Sequence, residues 1–464
     1  MNKTIQPGMK MKKLNGDILT PITVFLRLEG KKKFLLESSL KHNEQGRYSF
    51  IGVNPIMEII SEGDQTSIVS KNGKVVKKET GFPLQILQRT VPKIELDVPF
   101  PFYGGAVGYV GYDAIRQYNK IGEELEDEIG MPDIHFMVYE DVIVFDHLAQ
   151  SIYILAINLD GGRTNEQLEE RIIKLEEQVF HGHTDETLGE CQIDFEPQME
   201  KEEFIRRIEE AKGYILKGEV EQVVLSQRMS GEVKADPFHF YRVLRNSNPS
   251  PYMFFVDFKE YVVLGSSPES FIKSNGNKIQ TNPIAGTRRR GHTEEEDRAL
   301  AEELITDEKE LSEHRMLIDL SREDMEKVCV PGSFDIRSYM QIEYYRHVMH
   351  IVSEVEGILT EGCSGLDALI SLLPAGTVSG SPKVRAMQII NELEDVKRGV
   401  YSGALGYVNA NGDVDFALAI RSLVIKEGRA HLQAGAGIVH DSVPRLEYKE
   451  TMNKARGLLS TKPL

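Results

Sequence analysis

Strand-like and helical segments follow one another irregularly along this chain, and that order constrains its fold more than any other feature. Short strand-like runs such as 48–52 and 68–70 alternate with turn signals, and residues 165–180 have the apolar spacing of an amphipathic helix. Further strands are expected over 220–227 and 252–258, without the regular strand–helix–strand repeat of a parallel sheet. The sequence therefore predicts an α+β fold rather than a doubly wound sheet.

The length of the chain predicts more than one lobe. At 464 residues it exceeds what a single hydrophobic core usually organises. Residues 181–198 are polar and aperiodic, so we predict an N-terminal region over 1–180, a linker over 181–198 and a second domain over 199–464. Within that domain we expect a helix over 201–217, a long acidic helix over 293–320, a strand over 415–425 and a C-terminal helix over 444–459.

The charge of the chain excludes several classes of partner. With 72 acidic and 55 basic residues its formal charge is −17, which opposes nonspecific binding to nucleic acid or to an anionic membrane. We find no signal-peptide pattern and no apolar run long enough to span a bilayer. Three cysteines without a CxxC pair (Cys191, Cys329 and Cys363) favour a reducing compartment, so a cytoplasmic protein is expected.

Two pairs of glutamates are candidates for a cation site. Glu310 and Glu313 lie three residues apart on the predicted acidic helix, and Glu447 and Glu450 do so on the C-terminal helix, so each pair shares a face. If the two helices face each other, four carboxylates form an oxygen cage that suits Mg²⁺. Two solvated helix faces are the alternative, and an acidic protein favours it before other evidence is considered.

Two glycine-bearing turns follow predicted strands. Residues 282–288 and 433–438 each place glycine where an anion could approach backbone N–H groups closely. Each could equally be an ordinary tight turn, and the run of three arginines at 288–290 could be a solvated loop.

Taken in order, these segments resemble the motifs of the chorismate-utilising enzymes. Asn-Pro-Ile-Ala-Gly-Thr-Arg at 282–288, Asp-Glu-Lys-Glu-Leu-Ser-Glu-His at 307–314 and Leu-Pro-Ala-Gly-Thr-Val-Ser-Gly-Ser-Pro-Lys at 373–383 match, as do 433–439 and 453–455. The resemblance runs from residue 200 to residue 458, and segments 35–38 and 47–52 extend it into the N-terminal region. It implies a two-lobed β/α sandwich of mixed, antiparallel-rich sheets with helices between them.

The resemblance implies a role for each matching residue. Glu313 and Glu450 match direct Mg²⁺ ligands, and Glu310 and Glu447 match carboxylates that bind the ion directly or through water. Glu269 matches a general acid for a departing ring hydroxyl, which requires its carboxyl to be protonated near neutral pH. The positions that match the substrate pocket are Ala285, Gly286, Thr287, Tyr401, Arg421, Gly435, Gly437 and Lys454.

Three further positions carry assignments from the resemblance, and two of them, Gln222 and Ala285, distinguish branches of the family. His350 matches a histidine beside the ring carboxylate and is assigned to the aromatising elimination, although a lone histidine can also be a core residue. Gln222 stands where enzymes that add water to chorismate carry a lysine base, and glutamine cannot accept the proton that water must lose. This disfavours isochorismate and salicylate synthases. Ala285 stands where aminodeoxychorismate synthases commonly carry a lysine nucleophile.

The resemblance is thus to the large subunits of anthranilate synthases. It implies a Mg²⁺-dependent carbon–oxygen lyase that converts chorismate and ammonia to anthranilate and pyruvate, the first committed step of tryptophan biosynthesis. A separate glutamine amidotransferase subunit would supply ammonia in a heterotetramer of two large and two small chains, because the sequence around Cys363 lacks the spacing of a nucleophile elbow. Aminodeoxychorismate synthase, in folate supply, is the alternative enzyme. A catalytically inactive tryptophan-binding subunit is the alternative of another class, against which the retained Glu269, Glu313, Glu450 and Lys454 argue.

Feedback inhibition by tryptophan is also implied by the resemblance. The positions that match the tryptophan pocket are Leu36, Glu37, Ser38, Pro249, Ser250, Tyr252 and Met253. Without the resemblance, Asn-Pro-Ser-Pro at 248–251 would be only a turn before a strand. One position departs from the family: Glu323 stands where relatives usually have asparagine, near the metal-binding helix, where the change could alter solvation.

Overall fold

The fold is taken from a computed structural model, which describes residues 8–38, 46–183 and 193–459. Two short 3₁₀ helices cover Tyr112–Gln117 and Gly376–Val378. The α-helices are α1 (Pro21–Arg27), α2 (Pro83–Thr90), α3 (Asn165–His181), α4 (Lys201–Leu216), α5 (Pro237–Ser247), α6 (Glu294–Thr306), α7 (Glu308–Glu326), α8 (Gly365–Leu372), α9 (Lys383–Leu393) and α10 (Pro444–Leu459).

The strands lie in both halves of the sequence. Those of the first half are β1 (Met9–Asn15), β2 (Phe34–Glu37), β3 (Tyr48–Gly52), β4 (Met57–Glu62), β5 (Gln65–Ser70), β6 (Val75–Thr80), β7 (Gly105–Val110), β8 (Ile134–Tyr139), β9 (Asp141–Asp146), β10 (Ser151–Ile157), β11 (Glu196–Pro197) and β12 (Gln222–Glu232). Those of the second half are β13 (Tyr252–Asp257), β14 (Tyr261–Ser267), β15 (Ser270–Asn275), β16 (Lys278–Thr281), β17 (Ile284–Arg289), β18 (Asp335–Tyr344), β19 (Val348–Ile358), β20 (Gly380–Ser381), β21 (Ala404–Asn409), β22 (Val414–Leu418), β23 (Ser422–Lys426) and β24 (Arg429–Ile438).

These strands form two antiparallel sheets of twelve strands each. The first has the order β1-β10-β9-β3-β2-β13-β14-β23-β24-β12-β11, with β20 paired to β12. The second has the order β17-β19-β16-β15-β22-β21-β7-β8-β4-β5-β6, with β18 paired to β19. Helix α7 packs on β17 and β19 of the second sheet, and α10 and α9 pack on β24 and β12 of the first. The α+β class predicted from the sequence is confirmed.

The two parts of the sequence that flank residues 181–198 share both sheets. Strand β2 pairs with β13 in the first sheet, and β7 pairs with β21 in the second. One buried apolar cluster includes Phe34 and Tyr109 from the first part and Phe416 from the second. Each sheet is therefore built from both parts of the sequence. The boundary predicted at 181–198 does not coincide with a division between the sheets.

The acidic segment predicted as one helix over 293–320 forms two helices, so that prediction was wrong. Helix α6 ends at Thr306, and α7 begins after Asp307, whose φ of −74° and ψ of 103° are extended. The Asp307 carboxylate accepts hydrogen bonds from the N–H groups of Lys309 and Glu310 and so caps the second helix. The new helix therefore starts at the residues that carry the first candidate carboxylates.

The strand predicted over 415–425 is also interrupted. Strand β22 belongs to the second sheet and β23 to the first, so the chain crosses between the sheets after Leu418. At the crossing Arg421 has a φ of 48°, a left-handed conformation that residues with a side chain rarely adopt. Such backbone is concentrated at functional sites, where the surrounding structure enforces it.

Several other sequence predictions concern the helices and cysteines. The helices predicted over 165–180, 201–217 and 444–459 are confirmed as α3, α4 and α10. Within the described residues, none of the helices has the length and apolar character needed to cross a membrane. Cys329 and Cys363 are free thiols, and Cys191 lies outside the described residues.

Candidate active site

A cavity of about 1970 Å³ lies where the two sheets meet α7 and α10. Strands β12 and β24 of the first sheet and β17 and β19 of the second contribute to its wall. All the residues predicted for catalysis, substrate binding and metal binding line it: Gln222, Glu269, Ala285, Gly286, Thr287, Glu310, Glu313, His350, Tyr401, Arg421, Gly435, Gly437, Glu447, Glu450 and Lys454. Residues more than 200 positions apart in the sequence are thus brought to one cavity.

One wall of the cavity is acidic. Helix α7 contributes Glu310 and Glu313, and α10 contributes Glu447 and Glu450. Burial raises the pKa of Glu313, and the nearby Glu310 carboxylate raises it further. Burial likewise raises the pKa of Glu447, and Glu450 adds to that rise. Mutual repulsion among neighbouring carboxylates is relieved by a bound cation, so this wall has the charge and the oxygen donors for a hard divalent metal.

The acidic wall is not gathered into a closed ligand set. In the described part of the chain, no group of three or more His, Cys, Asp or Glu side chains is close enough to form a ready metal site. Arg288 Nη1 lies 3.1 Å from Glu310 Oε1, and Lys454 Nζ lies 2.8 Å from Glu450 Oε1. Protein cations therefore occupy two of the four carboxylates, and a metal ion bound to either would compete with them.

Glu269 carries the clearest electrostatic signature in the cavity. Its side chain is 7% exposed, and burial raises the pKa to about 8. Thr377 Oγ1 donates a hydrogen bond to Glu269 Oε1 at 2.9 Å, and the charge of Arg421 acts in the same direction, lowering the pKa against burial. The carboxyl is therefore protonated at neutral pH and can donate a proton, as a general acid must.

His350 is neutral and has a defined tautomer. Its Nδ1 lies 2.9 Å from the carbonyl oxygen of Gly286 and 3.0 Å from Thr287 Oγ1. Because a carbonyl can only accept, Nδ1 carries the proton and Nε2 carries a lone pair. Burial lowers the pKa of His350 to about 4, and Nε2 is buried without a hydrogen-bond partner among the described residues. The imidazole is thus held as a proton acceptor.

Arg421 is a partly buried cation without a counter-ion among the described residues. Its guanidinium makes no hydrogen bond or ion pair with the described residues, and burial lowers its pKa while Tyr345 and Glu269 raise it. An uncompensated buried charge is costly, so the cavity favours an anionic ligand at this point. Arginine can hold a carboxylate through two parallel hydrogen bonds.

Tyr401 and Lys454 converge on the same glycine strand. Burial raises the pKa of Tyr401 to about 12, so its hydroxyl stays protonated, and it shares a hydrogen bond with the Gly435 backbone. Lys454 Nζ donates to the Gly435 carbonyl oxygen at 3.0 Å. A Cβ at Gly435 would lie 2.9 Å from both Tyr401 Oη and the Leu225 carbonyl oxygen, so this position favours glycine. Residues 433–438 lie within strand β24, so the turn predicted there was wrong.

Gln222 joins the acidic wall to the strand layer. It is 4% exposed, and its Nε2 donates to Glu313 Oε1 at 3.2 Å. Its Oε1 is buried without a hydrogen-bond partner among the described residues. A neutral acceptor is thus directed to a place where a donor such as an amine could bind.

Thr377 and Tyr345 line the cavity but were not assigned roles from the sequence. Thr377 lies inside the recognised segment 373–383, so a signal existed. Tyr345 lies in the turn between β18 and β19, with its ring centroid 5.4 Å from that of His350. Its position depends on a strand pairing that the sequence pattern did not indicate.

The two parts of the predicted tryptophan element lie side by side. Strand β2 pairs with β13, and Glu37 stands opposite Met253. The Glu37 carboxylate accepts hydrogen bonds from Tyr241 Oη at 2.8 Å and Arg245 Nε at 2.7 Å. Segments that are more than 200 residues apart in sequence therefore meet as predicted.

The element touches the cavity at one end. Pro249 and Ser250 line the cavity, whereas Leu36, Glu37, Ser38, Tyr252 and Met253 lie outside its wall. Tyr252 Oη lies 2.9 Å from both Asp415 Oδ1, to which it donates, and Ser270 Oγ, from which it can accept. Ser38 Oγ is buried without a partner among the described residues.

Glu323 lies on helix α7 but away from the cavity. Its side chain is exposed, whereas the next residue, Asp324, is buried and paired with Lys383. Glu323 is absent from the cavity wall. The substitution at this position therefore leaves the lining of the site unchanged.

Comparison with known proteins gives one consistent family. The profile of the chorismate binding enzyme family matches residues 31–460. The chain is 44% identical over 456 residues to anthranilate synthase component 1 of Lactococcus lactis subsp. lactis, covering 97% of this chain and 99% of that protein. It is 44% identical over 453 residues to the same component of Thermus thermophilus, covering 96% and 95%.

Solved structures agree with this result. The crystal structure of anthranilate synthase component I from Streptococcus pneumoniae TIGR4 superposes with a TM-score of 0.84 at 42% identity, covering 96% of this chain and 98% of that one. The menaquinone-specific isochorismate synthase of Escherichia coli superposes with a TM-score of 0.72 at 18% identity, covering 98% and 94%. The second similarity shows a shared fold.

Proposed function

The chain belongs to the chorismate binding enzyme family, in its anthranilate synthase component 1 branch, and from this premise we propose how its cavity converts chorismate to anthranilate. Ammonia adds to ring carbon C2 as the C4 hydroxyl leaves as water, giving 2-amino-2-deoxyisochorismate. Loss of a ring proton and of the enolpyruvyl group as pyruvate then yields the aromatic product. Each step needs a proton donor or acceptor that the cavity contains.

Glu269 is the proposed acid of the first step. Hydroxide is a poor leaving group, and a positioned acid contributes about 10²–10⁴-fold. A carboxyl with a pKa of about 8 carries its proton at neutral pH. This observation supports the proposal most directly, because a neutral carboxyl can protonate a leaving hydroxyl group. The unpaired Arg421 in the same cavity can bind an anionic substrate.

His350 is the proposed acceptor of the ring proton in the second step. Its Nε2 lone pair is free because Nδ1–H is engaged by the Gly286 carbonyl oxygen. Gln222 is the proposed partner of the incoming ammonia, since its unpartnered Oε1 can accept an N–H. Ammonia already has a usable lone pair, so the reaction needs no lysine base at this position.

The substrate carboxylates find separate partners. Arg421, Tyr401 and Lys454 are proposed to bind the enolpyruvyl carboxylate, with backbone groups at Gly435 and Gly437. Thr287 and Gly286 contribute to the ring pocket beside Ala285, which has no nucleophile for covalent attack.

Mg²⁺ is proposed to bind Glu313 and Glu450, with Glu310 and Glu447 binding it directly or through water. When bound, the ion supplies positive charge for the ring carboxylate of the substrate. The carboxylate chemistry suits the ion. To hold it, Glu450 would have to give up its contact with Lys454, which would leave Lys454 free to bind the enolpyruvyl carboxylate.

A glutamine amidotransferase, anthranilate synthase component 2, is the proposed source of ammonia. The component 1 relatives imply such a partner by name. A heterotetramer of two large and two small chains in the cytoplasm is proposed with it. The isolated chain should therefore use ammonium salts and not glutamine.

Tryptophan is proposed to inhibit the enzyme by binding the element formed by β2 and β13. Pro249 and Ser250 extend from that element to the cavity wall, which gives the two sites a physical connection. Linkage typically transmits about 1–3 kcal/mol between such sites. Calorimetry with tryptophan, with and without chorismate, tests this: binding that does not weaken chorismate affinity contradicts the coupling.

Product identification tests the reaction. The purified chain is incubated with chorismate, Mg²⁺ and ammonium, and the products are separated and quantified. Anthranilate and pyruvate in equal amounts are expected. Accumulation of 4-amino-4-deoxychorismate instead would assign the chain to the aminodeoxychorismate synthases, and tryptophan binding without any turnover would make it an inactive subunit.

A further inference from the structure

A buried ion pair lies behind the cavity wall. Arg398 and Glu394 have side chains that are 1% and 7% exposed, in the segment between α9 and β21. Two hydrogen bonds join them, from Arg398 Nη2 to Glu394 Oε1 at 2.6 Å and from Nε to Oε2 at 2.8 Å. Neither residue lines the cavity, so neither touches a ligand there.

The rest of the guanidinium is bonded to backbone beside the active site. Nη1 donates to the carbonyl oxygen of Val378 at 2.7 Å, and Nη2 donates to that of Val224 at 2.8 Å. Val378 follows Thr377, the donor to Glu269, and Val224 lies two residues after Gln222. Arg398 therefore connects the segment that contacts the proposed acid to the strand that carries the proposed ammonia site.

The same guanidinium also faces a substrate-pocket residue. Its central carbon lies 5.8 Å from the centroid of the Tyr401 ring and 4.8 Å from that of Tyr112, within the range of cation–π attraction. Tyr401 in turn contacts the Gly435 backbone. A third part of the cavity wall is thus fixed to the same side chain.

Glu394 extends the network to the glycine strand. Its Oε1 accepts hydrogen bonds from the N–H of Ser226 at 2.9 Å and from Ser226 Oγ at 2.8 Å. Gln433 Nε2 donates to Ser226 Oγ at 2.8 Å. Ser226 stands opposite Gly435 in the β12–β24 ladder. The pair therefore connects β12, β24, the Thr377 segment and the Tyr401 turn.

We propose that Arg398, held by Glu394, is a positioning residue that fixes Thr377 and the Glu269 carboxyl relative to Gln222 and Tyr401. This inference rests on the proposed function, because it needs the cavity to bring an acid and an amine to one ring. A buried ion pair contributes little net stability compared with a well-packed apolar pair. Net stability therefore does not explain why two charged side chains are buried here. A role in holding the geometry of the site does.

The alkaline limb of the pH–rate profile, which is the fall in kcat at high pH, reports the geometry around Glu269. The proposed acid must be protonated, so kcat falls as pH rises through the pKa of Glu269. Thr377 and Arg421 lower this pKa against burial, and Tyr345 is the other titratable group that interacts with Glu269. Loss of the Thr377 hydrogen bond removes a stabilising donor to the carboxylate, so the limb moves to higher pH.

Arg398→Lys is the informative variant. Lysine keeps the charge but cannot pair with Glu394 through two bonds and also reach both carbonyl groups. We expect kcat to fall on the order of 10- to 100-fold, since small displacements of reacting groups cost that much. We also expect the alkaline limb to move upward in pH, in the same direction as in Thr377→Val. Free ammonia must be held constant at every pH, because its concentration otherwise rises with pH.

Arg163→Lys is the matched control. Arg163 also binds carboxylates, with Nη1 2.6 Å from Asp141 Oδ1 and Nε 2.9 Å from Glu140 Oε2, and it donates to the Ile157 carbonyl oxygen at 3.2 Å. It lies outside the cavity wall. The control is expected to change the thermal midpoint and to leave the alkaline limb where it is in the wild type.

The outcomes separate the two proposals. An Arg398→Lys enzyme that is less stable but has the wild-type limb and kcat overturns the positioning role. If that variant does not fold, the double variant Arg398→Met/Glu394→Leu replaces the pair with apolar side chains. A double variant with the kcat and the alkaline limb of the wild type also overturns the positioning role. A wild type without anthranilate formation, or without an alkaline limb, contradicts the proposed function instead.

Discussion

Two sets of cavity residues differ in how complete they are. In the proton-transfer pair, Glu269 already holds its proton and His350 already presents a free Nε2, because burial and fixed hydrogen-bond partners determine both states. In the acidic wall, Glu310 and Glu450 are held by protein cations, and the described residues do not form a closed metal site. The fold therefore prepares the proton-transfer groups, whereas the acidic wall must be completed by what binds.

The largest effect is expected at the proton-transfer pair. Glu269→Gln keeps the size and the Thr377 contact but removes the acidic proton, so kcat should fall about 10²- to 10⁴-fold. Steady-state rates of anthranilate formation with ammonium measure this. A loss of less than tenfold in a folded variant would show that the leaving hydroxyl does not depend on this carboxyl.

The next effect is expected at the acidic wall. Glu313→Ala or Glu450→Ala should raise the Mg²⁺ concentration needed for half-maximal turnover at least about 100-fold, since even outer-shell changes cost about 10- to 100-fold. Rates are measured over a Mg²⁺ titration, and circular dichroism verifies folding. Glu323→Ala, on the same helix but exposed outside the cavity, is the matched control. A normal Mg²⁺ dependence in the first two variants removes the metal assignment.

A smaller effect distinguishes the donor from the acid. Thr377→Val removes the hydrogen bond to Glu269 Oε1 while keeping the shape of the side chain. The pKa of Glu269 should rise above about 8, so the alkaline limb should move to higher pH with kcat reduced roughly tenfold. The measurement is kcat against pH at constant free ammonia. A limb that moves to lower pH would contradict the geometry.

The last effect concerns stability rather than rate. Burial raises the folded-state pKa of Glu269 from 4.5 to about 8, so its favourable contribution is complete below about pH 4.5 and is lost as pH rises through about 8. Glu269→Gln should therefore become more stable relative to the wild type as pH rises, in thermal unfolding from pH 5 to 9. A difference that does not change with pH would place the wild-type carboxylate in a hydrated environment.

Much of the fold and the site could be predicted from the sequence. Irregular strand and helix patterns gave the α+β class, and the motifs named the residues that line the cavity. Local pattern could not predict that Asp307 would cap a new helix, because capping depends on one carboxylate turning back to two N–H groups. Nor could it show the crossing at Arg421, since alternation continues through 415–425 although the strand changes sheet.

The sequence also could not show the layer behind the cavity. Arg398, Glu394 and Ser226 are brought together by the approach of α9 to β12, and the local sequence does not indicate the four hydrogen bonds that join them. Tyr345 is placed by the pairing of β18 with β19, whose register contains two irregularities. Motifs indicate residues that meet a ligand, whereas the residues that position them depend on tertiary packing.

The most direct test of the difference between the proton-transfer pair and the acidic wall is Mg²⁺ binding measured by calorimetry. The titrations are made in the presence of chorismate on the wild type, Glu269→Gln and Glu313→Ala. The Glu269→Gln protein is predicted to bind Mg²⁺ as tightly as the wild type although it does not turn over, and Glu313→Ala is predicted to lose binding. Loss of Mg²⁺ affinity in Glu269→Gln, or full affinity in Glu313→Ala, would contradict the account.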